Sequence, residues 1–180
     1  MEFDEILQDV FLIRPKVFED ERGFFFESFS EKAFLQGTRQ KQIAFKQDNH
    51  SKSNKGVLRG LHYQIQQAQG KLVRVTRGSV FDVAMDIRKE SPNYGKWVGV
   101  ILSAENRNQL WIPPGFAHGF LTLDDDTEFL YKATDFYAPE FERSILYSDP
   151  EIGIRWPDKI DIQLSQKDNL GLYLKDAETY

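Results

Sequence analysis

Turn residues interrupt this sequence at short intervals, and that spacing limits what the chain can fold into. Arg77-Gly78, Ser91-Pro92-Asn93-Tyr94-Gly95, Pro113-Pro114-Gly115 and Asp124-Asp125-Asp126 leave little room for long helices. Between such breaks apolar and polar residues alternate, the period of a strand with one buried face. The clearest case is Val80 to Ile87, where Phe81, Val83, Met85 and Ile87 share one face and Asp82 and Asp86 the other. The same reading predicts strands at Val10 to Ile13, Phe24 to Phe29, Ile43 to His50, Val57 to Gln64 and Leu72 to Thr76. It continues at Trp97 to Leu102, Gln109 to Ile112, Gly119 to Leu123 and Thr127 to Thr134. Aromatic residues make up 14% of the chain, and most lie in these stretches, where they pack well on a pleated surface. Helix is predicted only over Ser30 to Gly37, with a Ser cap and a Gly stop, and from Ser165, where Ser-Gln-Lys-Asp reads as a capping box. Short strands at regular spacing point to an all-β fold, a small barrel or jelly roll.

With 180 residues and no linker or repeat, the chain is expected to form one domain over residues 1–180. Its hydrophobic fraction of 41% and charged fraction of 28% are those of a globular protein and exclude disorder. A net charge of −5 offers no broad basic face, so no nucleic-acid partner is expected; any polyanion must sit in a local pocket of Arg and Lys. The absence of cysteine removes disulfides, thiolate ligands and Cys nucleophiles together. The opening MEFDEILQDVFLI is acidic where a signal peptide is basic, and no apolar run approaches the roughly 20 residues that span a bilayer. The expected setting is the cytoplasm, without a membrane partner.

Of the three histidines, His50, His62 and His118, two have context. In Gly56-Val57-Leu58-Arg59-Gly60-Leu61-His62-Tyr63-Gln64 a cation and an imidazole stand three apart on one strand, so strict alternation sends them to opposite faces. A bulge at Gly60 would return them to one side. Pro113-Pro114-Gly115-Phe116-Ala117-His118 has the spacing P-x-G-x-x-H, which resembles the second half of the cupin pattern. The first half of that pattern is H-x-H followed by a Glu. Here His62 is followed by Tyr63 and Gln64, so the second histidine is missing. Two histidines without a partner carboxylate fall short of the three or four donors a transition metal needs.

Longer stretches carry a closer resemblance. FEDERGFFFESF from Phe18, QDNHSKSNKGVLRGLHYQ from Gln47, QGKLVRVTRGSVFDVAMDIRKESPNYG from Gln69, QLWIPPGFAHGF from Gln109, YAPEFERSI from Tyr137 and SQKD from Ser165 run almost end to end. In these the chain resembles the dTDP-4-dehydrorhamnose 3,5-epimerases. The resemblance implies a cupin-type jelly-roll barrel with a few short helices, a homodimer, a dTDP-sugar substrate, and a reaction without metal or organic cofactor. It implies inversion at carbons 3 and 5 of a 4-keto hexose, each α to the carbonyl. That chemistry needs a base, an opposed acid and a donor for the enolate oxygen.

Carried over by motif, His62 is the base and Asp168 its orienting partner, although Asp168 also fits as the capping-box carboxylate. Tyr131 is the proton donor, with Tyr137 competing for the role. Lys71 is the enolate stabiliser, and His118 adds a hydrogen bond to the sugar. Arg59 is the diphosphate ligand, its planar fork suiting paired phosphate oxygens. Arg22, Glu27, Gln47, Asn49, Glu142 and Lys167 match substrate contacts, and Phe18 or Phe26 stacks on the base or packs the core. A single-carbon epimerase would use the same residues. A non-catalytic sugar-binding cupin would give His62, Lys71 and Asp168 no reason to occur together.

Overall fold

A computed structural model describes residues 1–180. A hairpin of β1 (Glu2–Leu7) and β2 (Val10–Arg14) opens the chain, followed by the small hairpin β3 (Phe18–Asp20) and β4 (Gly23–Phe25) and helix α1 (Glu31–Thr38). Then come β5 (Gln47–Ser53), β6 (Leu58–Gln64), β7 (Lys71–Arg77), β8 (Ser79–Asp86), β9 (Trp97–Ser103), β10 (Gln109–Ile112), β11 (Phe116–Thr122), β12 (Thr127–Ala133) and β13 (Glu142–Ser144). The last part carries one short helix, α2 (Gln166–Asn169). No helix is long and apolar enough to cross a membrane.

The strands form a six-stranded sheet in the order β1-β2-β10-β7-β12-β5 and a five-stranded sheet in the order β13-β6-β11-β8-β9, with β3-β4 apart. All pairs in them are antiparallel, and the chain crosses repeatedly between the two sheets, as a jelly roll does. Val10, Leu12, Val73, Val75, Leu110 and Phe129 of one sheet pack against Val80, Ala84, Leu102, Phe116 and Phe120 of the other. This apolar cluster closes one part of the space between the sheets.

The outer face of the five-stranded sheet is covered as well. Leu61, Tyr63, Val83, Met85, Ile87 and Ala117 pack under Ile145, Ile152, Trp156 and Tyr180 from the C-terminal segment. Both faces of β8 are therefore buried, and Asp82 and Asp86 on its inner face are both fully buried. Asp86 is satisfied by Arg88 and Ser91, while Asp82 points into the site described below.

Two predicted strands move. Phe24 to Phe29 keeps only Gly23–Phe25, because the chain turns back on β3 before Phe29 packs against Phe34 and Phe45. Ile43 to His50 shifts to Gln47–Ser53, since Ile43 and Phe45 are used to cover Trp111 outside the sheet. β1, β3 and β13 lie outside the predicted set; β1 is a largely exposed edge strand without alternation, and the other two have three residues each. In α1, Gly37 does not end the helix. It lets Phe3 approach, where a Cβ would lie 2.3 Å from the ring, and the stop is Arg39 at φ 58°.

Candidate active site

The three-residue spacing of Arg59 and His62 is resolved by a bulge. On β11, His118 pairs with His62 and Phe120 with Arg59, so Gly60 and Leu61 together face the single residue Gly119. Arg59 and His62 thereby fall on the inner face. Gly60 sits at φ 132°, and a Cβ there would stand 2.4 Å from Gly119 Cα. Only glycine tolerates that backbone and that approach.

Asp168 reaches the bulge from α2. Ser165 caps that helix: its Oγ accepts from Asp168 N at 3.2 Å and donates to Asp168 Oδ2 at 2.6 Å. The other carboxylate oxygen, Oδ1, accepts from Gly60 N at 3.1 Å and lies 2.6 Å from His62 Nε2. Asp168 thus stands both beside His62 and at the helix cap, one oxygen for each, with Oδ2 taking the Ser165 hydroxyl where a capping box would take the Ser165 amide. This His62 contact is close, with the ring N–H direction turned off the line to the carboxylate. Burial alone would raise the Asp168 pKa, but the bonds from His62, Ser165 and Gly60 outweigh it and hold the carboxyl at about 2. Asp168 is therefore ionised beside the imidazole throughout the neutral range.

The neighbouring His118 is buried, with Nε2 at 3.0 Å from Asp82 Oδ2. Burial pushes its pKa down against the opposing pull of Asp82, and Lys71 and His62 push it further in the same direction. A neutral ring facing a carboxylate carries its proton on Nε2, which leaves Nδ1 as an acceptor. Asp82 was not among the residues singled out by motif. Its signal was a carboxylate in the middle of a strand rich in apolar residues.

The facing sheet supplies the rest. Tyr131 pairs with Asn49 and Val73, so its side chain enters the space between the sheets alongside Asn49, and Gln47 lies two residues further along the same face. Burial raises the Tyr131 pKa, Glu142 adds to this and Arg59 opposes it, so the phenol keeps its proton at neutral pH. Lys71 opens β7 on that face. Desolvation lowers its pKa to about 8, partly offset by the charges of Glu142 and Asp82. Glu142 itself takes the Tyr137 hydroxyl on Oε2 at 2.6 Å, and Lys167 ion-pairs with the same oxygen. The bond to Glu142 lifts the Tyr137 pKa to about 12.

Arg59 is exposed and bonds only Ser53 Oγ, at 3.1 Å, across the gap to β5. Gln47 donates to Asn49 Oδ1 at 2.9 Å and accepts from Tyr137 N at 3.0 Å. Asn49 Nδ2 is buried without a partner. Arg22 and Glu27 are not brought to this cluster within one chain. Arg22 is exposed at the tip of the β3–β4 hairpin, bonded to Asp20, and Glu27 is exposed beyond β4. Phe18 is exposed, and Phe26 stacks on Phe24 with ring centroids 5.9 Å apart.

The arrangement does not fit a cupin metal. No three His, Asp or Glu side chains are placed so that they could hold one metal ion together. Gln64, where the second histidine of the pattern would stand, turns its carboxamide to the backbone of Gln67, Phe136 and Ala138 instead.

Comparison with known proteins finds similarity along nearly the whole chain. The family profile described as dTDP-4-dehydrorhamnose 3,5-epimerase matches residues 4–176. The enzyme of that name from Salmonella typhimurium is 61% identical over 172 residues, covering 95% of this chain and 93% of its own. That from Pseudomonas aeruginosa is 57% identical over 174 residues, covering 97% and 96%. The crystal structure of a dTDP-6-deoxy-D-glucose-3,5-epimerase from Legionella pneumophila, in complex with dTDP-4-keto-L-rhamnose, superposes with a TM-score of 0.93 at 53% identity, covering 96% and 92%.

Proposed function

The chain belongs to the dTDP-4-dehydrorhamnose 3,5-epimerase family, and we propose that it performs the family's reaction with His62 as base and Tyr131 as opposed acid. The enzyme is an isomerase that inverts dTDP-4-dehydro-6-deoxy-D-glucose at carbons 3 and 5, giving dTDP-4-dehydro-L-rhamnose on the route to dTDP-L-rhamnose. One observation carries the assignment of roles: His62 stands on the five-stranded sheet with the ionised Asp168 of α2 beside it, while the protonated Tyr131 stands on the other sheet. A sugar between the sheets meets the two groups on opposite faces.

His62 Nε2 faces Asp168, so Nδ1 takes the α proton, and the carboxylate stabilises the imidazolium that results. Lys71 as ammonium meets the charge that grows on the carbonyl oxygen, in a site where burial strengthens the interaction. Tyr131 returns a proton from the far face. His118, with Nε2 occupied by Asp82, accepts from a sugar hydroxyl through Nδ1. Asn49, Gln47, Tyr137, Glu142 and Lys167 edge the same space and hold the sugar. Incubation with substrate in deuterated water tests this reading: deuterium should appear at both carbons in inverted product, and incorporation at one carbon alone would make the chain a single-carbon epimerase.

Arg59 binds the diphosphate, being the exposed guanidinium at the mouth of the site. In Arg59→Ala the affinity for dTDP alone should fall by roughly tenfold or more, since charge-assisted bonds contribute about 1.5–3 kcal/mol each. Unchanged dTDP binding in calorimetry would move the diphosphate elsewhere.

Arg22 and Glu27 reach a site only if the hairpin serves a neighbouring copy. Phe18, Phe24 and Phe25 on that hairpin are 54%, 60% and 68% exposed, an apolar surface that a second copy would cover. A homodimer of two-fold symmetry, each hairpin lying against the other's site, accounts for both facts. Sedimentation of a fully active monomer at micromolar concentration would contradict it. A cytoplasmic setting belongs to the same reading.

A further inference from the structure

Residues 135–138 have no helix or strand of their own, yet side chains from other strands and loops hold one backbone group in each of them. Gln69 Nε2 donates to Asp135 O at 2.8 Å, and Phe136 N donates to Asp135 Oδ1 at 2.9 Å. Gln64 Nε2 donates to Phe136 O at 3.2 Å, Tyr137 N donates to Gln47 Oε1 at 3.0 Å, and Ala138 N donates to Gln64 Oε1 at 2.9 Å. Surface connections usually leave such groups to water. Here three glutamines replace the water.

Gln64 is the centre of this clamp. It is 4% exposed, and its carboxamide grips the peptides on both sides of Tyr137 with a donor at one end and an acceptor at the other. A further bond to Gln67 O at 2.8 Å fixes the amide plane, and the Tyr180 hydroxyl secures the Gln64 main-chain carbonyl from behind. The Tyr137 ring, by contrast, is 51% exposed and is tied only through its hydroxyl to Glu142. The backbone is fixed from several sides, and the side chain is held at its hydroxyl.

We propose that Gln64 is a positioning residue, which sets the Tyr137 backbone at the mouth of the site so that the phenol is in place before the sugar arrives. The proposal rests on the reading that Tyr137 contacts the sugar. Its physical basis is preorganisation: a loop ordered in advance does not lose its backbone freedom on binding, and a displacement of about 1 Å can cost up to a hundredfold in rate. The site where metal cupins carry a histidine thus serves, in this chain, to place a substrate contact.

Gln64→Glu keeps the acceptor for Ala138 N but puts a second acceptor against Phe136 O and Gln67 O, while Gln64→Leu removes all three bonds. The measurements are kcat and KM for the dTDP-sugar, the affinity for dTDP alone, and the same quantities in a Tyr137→Ala background. KM for the sugar should rise about tenfold in each Gln64 variant with dTDP affinity unchanged, and Gln64→Glu should add less than about twofold to Tyr137→Ala. An equal loss of dTDP affinity would mean general damage to the barrel and would overturn the proposal. So would full additivity with Tyr137→Ala, or wild-type kinetics in Gln64→Glu while Tyr137→Ala is impaired. If Tyr137→Ala itself is wild-type, the sugar-contact reading falls first, and the proposal with it. Where Gln64→Leu does not fold, Gln64→Glu carries the test alone.

Discussion

In His62→Ala, inversion and solvent deuterium exchange at carbons 3 and 5 should be lost together, by about a hundred- to ten-thousandfold. The two losses are linked because exchange and inversion share the step in which the α proton leaves. Each of the two site imidazoles has a carboxylate at Nε2, but His118 is buried deeper and burial pushes its pKa down, which leaves His62, beside the ionised Asp168, as the base. Loss of Asp168 should give a weaker form of the same defect, through a misoriented ring. Tyr131→Phe supplies the contrast: the enolate still forms and His62 reprotonates it on the original face. Deuterium then enters with configuration retained while inversion falls, most visibly at carbon 5. Undiminished exchange in His62→Ala would end the base assignment, and normal inversion at both carbons in Tyr131→Phe would transfer the donor role to Tyr137 or solvent.

Lys71→Ala should reduce kcat by about a hundred- to a thousandfold with a smaller effect on KM, because the charge it meets exists only in the enolate-like transition state. The pH profile gives an independent sign. Desolvation brings the Lys71 pKa down to about 8, so the ammonium is present below that pH and is lost as pH rises through it. Activity should therefore fall on the alkaline side near pH 8, well below the range of an ordinary lysine. Glu142 is the charge that pulls hardest against that lowering, so Glu142→Gln should move the alkaline limb to lower pH. An increase in KM alone in Lys71→Ala would reassign the residue to phosphate binding. An alkaline limb that stays in place in Glu142→Gln would detach it from Lys71.

What was legible in the residues was local. Alternation located most strands to within a few residues, because a pleated backbone sends neighbours to opposite faces whatever the sheet order. The spacing of Arg59 and His62 around Gly60 puts both on one face only if there is a bulge, and the fold has one. Ser165 three residues before Asp168 marked a helix start, which is where the helix begins. Family motifs brought His62, Asp168, Lys71, Tyr131, Tyr137, Glu142 and Lys167 into consideration, and the fold gathers them around one space between two sheets.

What only the tertiary structure decided was partnership. Asp82 reads as the polar side of an alternating strand, and it becomes a buried partner of His118 only because β11 lies beside β8 while the C-terminal segment covers the apolar side. Gln64 reads as a missing metal ligand and turns out to clamp a loop whose contact residue lies 74 positions away. Asp168 meets the Gly60 amide across 108 positions. Periodicity carries no information at such separations: it depends on the geometry of a few consecutive residues, whereas the partner of a buried polar group is chosen by which strands pair and which faces close. The amino-acid order set the strands, the turns and the bulge by itself; the jelly-roll crossings determined which carboxylate, imidazole, ammonium and phenol share a space, because a buried polar group must find its partner wherever the packing of the sheets leaves one.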